Sequence, residues 1–254
     1  FVDWNSVREK WKAQEEAKEK KRKTGISTHF GDLMTLCHEK HAELFRPDHL
    51  KEYKGRIVFR GDAVKDESGY LAVFSEQGTS ASHLEAAKMM DALSRCYFDE
   101  EECDGEEADA CSAYTQAYLE GDETWITIPF EYWPKEWVGK YTKPVVRLIL
   151  NLYGHPLAGL FWGKHCKRAL YSLGWEPIQG WECLYKHTEM KLFLSVYVDD
   201  FKMAGPTDNI EKGWKLIRHG LDLDDPTPVG KCLGCNHKES TSKLENGRVV
   251  RGME

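Results

Sequence analysis

The stretch Leu192-Phe193-Leu194-Ser195-Val196-Tyr197-Val198-Asp199-Asp200-Phe201-Lys202-Met203-Ala204-Gly205 decides how this chain is read. Two apolar runs flank a polar pair, the pattern of a β-hairpin with Asp199 and Asp200 at its tip. Adjacent carboxylates resist joint ionisation unless a cation holds them. A hard divalent cation such as Mg²⁺ takes oxygen ligands, commonly one or two carboxylates together with substrate phosphates. Neighbouring strand side chains diverge, so bracketing two cations needs a third carboxylate from elsewhere. Asp109 is the candidate. The small residues Ala110-Cys111-Ser112-Ala113 that follow it let backbone approach a triphosphate, and the Ala110 carbonyl offers a further oxygen. Taken alone, these residues leave a solvated loop acid equally open at Asp109.

The remainder of the chain bounds what surrounds that hairpin. It has 254 residues, 41% hydrophobic and 30% charged, enough for one large domain or two small lobes. Mean hydropathy is -0.59, and no apolar run approaches the roughly 18 residues of a membrane span. No signal-peptide pattern opens the chain, so an intracellular or particle-enclosed protein is expected. The first residue is Phe, which suggests a piece of something longer. Eight cysteines scattered through a domain of this size read as reduced thiols. The net charge of -7 argues against a nucleic-acid binder taken as a whole. However, residues 99–107 hold seven acids and no base, and without them the remainder is neutral and can carry a basic groove. That acidic block is expected to be a solvated loop.

Periodicity places the other elements. Residues 1 to 24 are rich in Lys and Glu and suggest a charged helix leading to a basic tail. Arg56-Ile57-Val58-Phe59-Arg60-Gly61 reads as a strand and Asp66-Glu67-Ser68-Gly69 as the turn after it. Ser82 with Glu85 forms a capping box for a helix whose core stripe is Leu84, Ala87, Met90, Leu93 and Tyr97. Ser112 to Leu119 reads as helical, Trp125 to Ile128 and Val145 to Leu152 as strands. His155-Pro156 opens a helix ended by Gly174. Ile210, Trp214, Ile217 and Leu221 mark another amphipathic helix, and a last hairpin lies around Gly230 to His237. Helices mixed with short antiparallel strands indicate an α+β class.

Three motifs in order, Asp109-Ala110-Cys111-Ser112-Ala113-Tyr114, Leu152-Tyr153-Gly154 and Tyr197-Val198-Asp199-Asp200, resemble the palm motifs of copia-type (Pseudoviridae-like) LTR retrotransposon reverse transcriptases. Arg56 to Gly61 resembles the fingers strand of that family. Lys231-Cys232-Leu233-Gly234-Cys235 resembles the segment before its primer grip. The resemblance covers residues 50 to 240. It implies a right-hand polymerase reduced to fingers and palm, with an antiparallel palm sheet packed on helices. In that layout residues 1–45 are a charged helical flank and 46–254 the reverse transcriptase, with fingers at 46–100 and 122–155 and palm at 108–121 and 156–240. Thumb and RNase H are expected to be absent.

The resemblance also implies roles. Asp109, Asp199 and Asp200, with the Ala110 carbonyl, would hold two Mg²⁺ ions, with Mn²⁺ as a substitute. The primer 3′-hydroxyl would then attack the α-phosphate of a dNTP. Tyr114 would be a steric gate against the ribose 2′-hydroxyl. Lys54, Arg56 and Arg60, evenly spaced on one strand face, would meet the triphosphate. Leu157 stands where the family carries a nucleotide-contacting Gln, and an alkyl side chain cannot form the hydrogen bonds of an amide. Tyr197, Leu233 and Gly234 would touch an RNA/DNA template–primer duplex. Further implied partners are the integrase and RNase H domains of a polyprotein, in a cytoplasmic virus-like particle or the nucleus and not at a membrane. The Leu157 departure and the acidic block make an inactive nucleic-acid-binding remnant the alternative. A zinc-stabilised module resting on Cys232, Cys235 and His237 is a third possibility, short of a fourth ligand.

Overall fold

In the computed structural model, residues 2–10, 28–40, 42–43, 47–74, 78, 81–98, 100–232, 235–247 and 249–253 are described. The backbone divides into two units, Phe1–Gln77 with Tyr118–Phe161 and Gly78–Ala117 with Trp162–Glu254. The fold is mixed α/β. Among the described residues no helix is long and apolar enough to cross a membrane.

In the second unit, Leu192–Tyr197 and Asp200–Pro206 pair as the expected hairpin. The sheet around it runs in the order Thr227–Pro228, Glu101–Asp109, Asp200–Pro206, Leu192–Tyr197, Leu184–His187, Glu176–Pro177, and Tyr97–Phe98 also pairs with Glu101–Asp109. Every pairing is antiparallel. Side chains alternate between two faces along such strands. Leu192, Leu194, Val196, Phe201 and Met203 join one core with Trp162, Cys166 and Leu170 of the helix Ala158–Ser172 and Ile210, Trp214 and Ile217 of the helix Thr207–Ile217. Phe193 and Ala204 face the other way and pack with Ala86 and Met90 of the helix Leu84–Leu93. The sheet is therefore covered on both faces, which fits its continuous apolar strands.

The acidic block is not a solvated loop. Residues 101–109 form the strand that pairs along the whole of Asp200–Pro206. Its inward positions are Cys103, Gly105 and Ala108, all buried. A Cβ at residue 105 would lie 2.7 Å from the Ser94 Cβ, so only glycine admits the helix end there. The acids find cations outside the block, one nearby and two remote: Asp104 meets Arg95 at 2.8 Å, Glu102 meets Arg251 at 2.7 Å, and Glu101 meets Lys191 at 3.5 Å.

Other expectations change in detail. The helix Leu84–Leu93 has His83 at its N-cap, with no side-chain cap. Ser82 instead accepts a hydrogen bond from the Ser195 hydroxyl at 2.8 Å, so the capping box does not form. The buried face of that helix is Ala86, Ala87 and Met90, while Leu84 and Tyr97 are exposed. Ser112 to Leu119 holds only a 3-10 turn, Ala113–Gln116, because Ser112 sits in the left-handed region at φ 49. The final segment adds an unforeseen strand pair, Glu239–Lys243 with Val249–Met253.

In the first unit, the strands run in the order Val2–Asp3, Pro144–Arg147, Glu123–Thr127, Thr28–Lys40, Glu52–Phe59. Thr28–Lys40 pairs parallel with Glu123–Thr127, and the other pairs are antiparallel. The strand expected over Val145 to Leu152 is shorter, Pro144–Arg147. A helix includes residues 4–10, and the rest of the charged N-terminal stretch lies outside the described residues. Phe59, Val64 and Ile126 centre one core, and Val7, Phe30 and Val145 another.

Two of the sequence motifs interlock in this unit by backbone. The Phe59 amide donates to the Tyr153 carbonyl at 2.7 Å. A Cβ on Gly154 would stand 2.1 Å from the Phe59 carbonyl oxygen, and one on Gly61 would stand 2.2 Å from that of Gly154. Gly154 also has φ +87, a conformation only glycine adopts freely. Both glycines are thus dictated by main chains in contact.

Candidate active site

Tyr197 and Asp200 are directly paired, which leaves Val198 and Asp199 as a two-residue turn. Val198 has φ 59, an outlier for a β-branched residue. The indole N–H of Trp162, a fully buried residue, donates to the Val198 carbonyl at 2.6 Å and holds the strained peptide. Trp162 went unnoticed in the sequence. Its signal is a Trp on the buried face of a helix, where the N–H must find an acceptor.

The third carboxylate arrives by register. Asp109 is the direct cross-strand partner of Asp200. The next amide, on Ala110, donates to the Asp199 carbonyl at 2.7 Å. A second brace lies beyond it: the Asp224 amide donates to the Asp109 carbonyl at 2.9 Å and the Cys111 amide to the Asp222 carbonyl at 3.0 Å. The Gln116 side chain closes this brace, donating to the carbonyls of Cys111 and Asp222 and accepting the Asp222 amide at 2.9 Å. Cys111 Sγ meets Asp224 Oδ1 at 3.1 Å, and that hydrogen bond pushes its thiol up to about 11.

The three acids share one electrostatic field. The Asp200 carboxyl is pushed up from 3.8 to about 6 by burial, then by the charges of Asp199, Asp109 and Glu107 and a hydrogen bond with Asp109. A half-buried carboxyl raised further by like charges beside a turn marks a site deficient in positive charge. Among the described residues no three His, Cys, Asp or Glu side chains are already arranged as a metal-ligand cluster. The donor chemistry nevertheless fits a hard cation: carboxylate oxygens, with one proton affinity raised by burial and then by its neighbours.

Tyr114 belongs to the same neighbourhood. It is half-buried against the main core, and its hydroxyl is shifted upward first by burial and then by the charge of Asp199. Tyr197 is 39% exposed and forms a bridge with Ala81. Leu233 and Gly234 lie outside the described residues.

Four expected site residues belong to the first unit. Lys54 and Arg56 sit on Glu52–Phe59, opposite His38 and Leu36. The Arg56 guanidinium lies 5.9 Å from the centre of the Tyr153 ring. Arg60 lies beyond the end of their strand. The strand ends at Phe59, and Arg60 turns away with ψ 80 to pair with Asp62 at 3.1 Å. Leu157 is half-buried, and its amide donates to His155 Nδ1 at 3.2 Å at the start of its helix. Burial holds that imidazole down at about 4, so it accepts this bond as the neutral ring. His237, weighed as a zinc ligand, meets Asp91 at 3.1 Å instead.

A search among curated proteins found no match. A family model, Reverse transcriptase (RNA-dependent DNA polymerase), matches residues 38–246. That span holds the Arg56–Gly61 and Leu152–Gly154 motifs, Asp109 and the Val198-Asp199 turn. Most of the chain is covered, and it belongs to the reverse transcriptase (RNA-dependent DNA polymerase) family, in its copia-type branch.

Proposed function

We propose that this chain transfers nucleotides from dNTPs to a primer 3′-hydroxyl on an RNA template, with the second unit as palm and the first as fingers. The observation that carries the reading is the direct opposition of Asp109 and Asp200, with the Ala110 amide on the Asp199 carbonyl. These links bring the strand end at Asp109, ninety positions earlier in the sequence, beside the Asp199–Asp200 pair. Asp109, Asp199 and Asp200, with the Ala110 carbonyl, would hold the divalent cations. Mg²⁺, or Mn²⁺ in its place, supplies neutralisation of the phosphates and activation of the attacking hydroxyl when bound.

The protein's own contribution is positioning and charge. Tight backbone braces fix the aspartates before substrate arrives. Tyr114, held beside Asp199, presents its ring where a 2′-hydroxyl would clash. Lys54 and Arg56 offer cations to a triphosphate tail, Arg being suited to bidentate phosphate contacts. Arg60 has Asp62 as a competitor for that role. Leu157 contributes apolar contact in place of an amide. Tyr197, Leu233 and Gly234 are assigned to the template–primer, and the integrase and RNase H domains of a polyprotein are the expected neighbours.

Primer extension on an RNA template with Mg²⁺ tests the proposal. Wild-type protein should incorporate dNTPs, and Asp199→Asn should lose on the order of 10³-fold, as expected when a group stabilising transition-state charge is removed. A folded wild-type chain that binds template–primer without extending it would leave the inactive remnant as the reading.

A further inference from the structure

The second unit buries a further ionic cluster that the reading above does not use. Lys202 lies two residues beyond Asp200 on the same strand and is 4% exposed. Its ammonium donates to Asp91 Oδ1, in the last turn of Leu84–Leu93. The other Asp91 oxygen takes His237 Nε2 at 3.1 Å. His237 Nδ1 is buried with no partner among the described residues, so Asp91 is the polar group its ring meets.

His237 directly follows the hairpin of Lys231–Cys232 and Cys235–Asn236. Its amide closes the base of that hairpin on the Gly230 carbonyl at 2.7 Å. Glu107, opposite Lys202 across the ladder, accepts the Gly230 amide at 3.2 Å. Further along, Arg95 meets Glu239 at 3.0 Å. Of these ties, only Asp91 joins the hairpin to the strand that carries Asp200.

A buried ion pair is a weak source of stability, because desolvation offsets most of its attraction. It is a good source of geometry. One carboxylate with each oxygen committed to a different segment fixes both segments at once. We infer that Asp91 is a positioning residue for nucleotidyl transfer, locking the Lys231–Asn236 hairpin to the Asp200 strand through Lys202 and His237. This rests on the function proposed above, with the hairpin holding the template–primer.

The test uses the full chain and a labelled RNA–DNA template–primer, read both as Kd and as KM in extension. Asp91→Leu with Lys202→Met removes both buried charges at similar volume, so the fold persists while His237 loses its tether. Template–primer Kd and KM should rise about ten-fold, the scale of one polar contact to a charged group, with KM for dNTP unchanged. His237→Leu, which keeps the Lys202–Asp91 pair, should give the same rise. Adding it to the double variant should add nothing more, since the residues act as a unit. His237→Gln keeps an N–H donor and should restore most of the affinity. Folded His237→Leu with unaltered Kd and KM overturns the inference, and it decides the matter alone should the double variant not fold. Wild-type protein that binds but does not extend primers contradicts the proposed function instead, while Kd still judges Asp91.

Discussion

Asp200→Asn is expected to stabilise the cation-free protein while lowering its activity, less severely than Asp199→Asn. The Asp200 carboxyl stands at about 6 against 3.8 for an ordinary Asp, with burial first and Asp199 and Asp109 next among the causes. A folded-state value raised above the unfolded one means the native state binds more protons between the two. Stability therefore falls as pH rises through that window, and the penalty is complete above its upper edge. Taken at face value the shift would represent about 3 kcal/mol at about 1.36 kcal/mol per unit. Asp200 is only half-buried, so solvent screening reduces this to about 1–2 kcal/mol. Asparagine cannot ionise, and its amide can still donate to Asp109. In EDTA at pH 8 the variant should melt about 2–8 °C above wild type, using about 2–4 °C per kcal/mol. The gain should shrink below pH 6 and vanish near pH 4. Adding Mg²⁺ should raise the wild-type melting temperature more than that of the variant, because a ligand stabilises only the state that binds it. Equal melting temperatures at pH 8 in EDTA, or a gain that grows on acidification, would refute the reasoning.

Three further predictions address the scaffold and the substrate. Trp162→Phe deletes the N–H that meets the Val198 carbonyl. It should cost about 1 kcal/mol, the net worth of a part-buried hydrogen bond, with kcat falling more than either KM. Melting curves and steady-state extension check both parts. Gly154→Ala drives a Cβ to 2.1 Å from the Phe59 carbonyl at positive φ and should prevent the first unit from folding, seen as lost near-UV dichroism. Tyr114→Ala should admit ribonucleotides, measured as the ratio of kcat/KM for dNTP over rNTP, and an unchanged ratio would refute the gate.

The parts legible in the sequence are those with local periodicity. The hairpin around Asp199 follows from two apolar runs, and the helices Ala158–Ser172 and Thr207–Ile217 from their stripes and stop signals. The strand Glu101–Asp109 was hidden because its seven-acid neighbourhood looks solvated, while the neutralising Arg95, Arg251 and Lys191 come from elsewhere in the chain. The brace of Gln116, Asp222 and Asp224 on the Asp109 backbone was hidden for a different reason. Single-residue bridges such as Ala110 to Leu223 leave no repeating pattern. At Ser82, tertiary contact with Ser195 overrides a local capping signal. At Arg60, an early strand end overrides the alternation that would have aligned it with Arg56.

The most direct measurement is Mn²⁺ titration followed by electron paramagnetic resonance, on wild type and on Asp109→Asn. The account predicts that the variant, altered ninety positions before the hairpin turn, loses affinity as severely as Asp199→Asn does. Undiminished Mn²⁺ binding by a folded Asp109→Asn protein would contradict it.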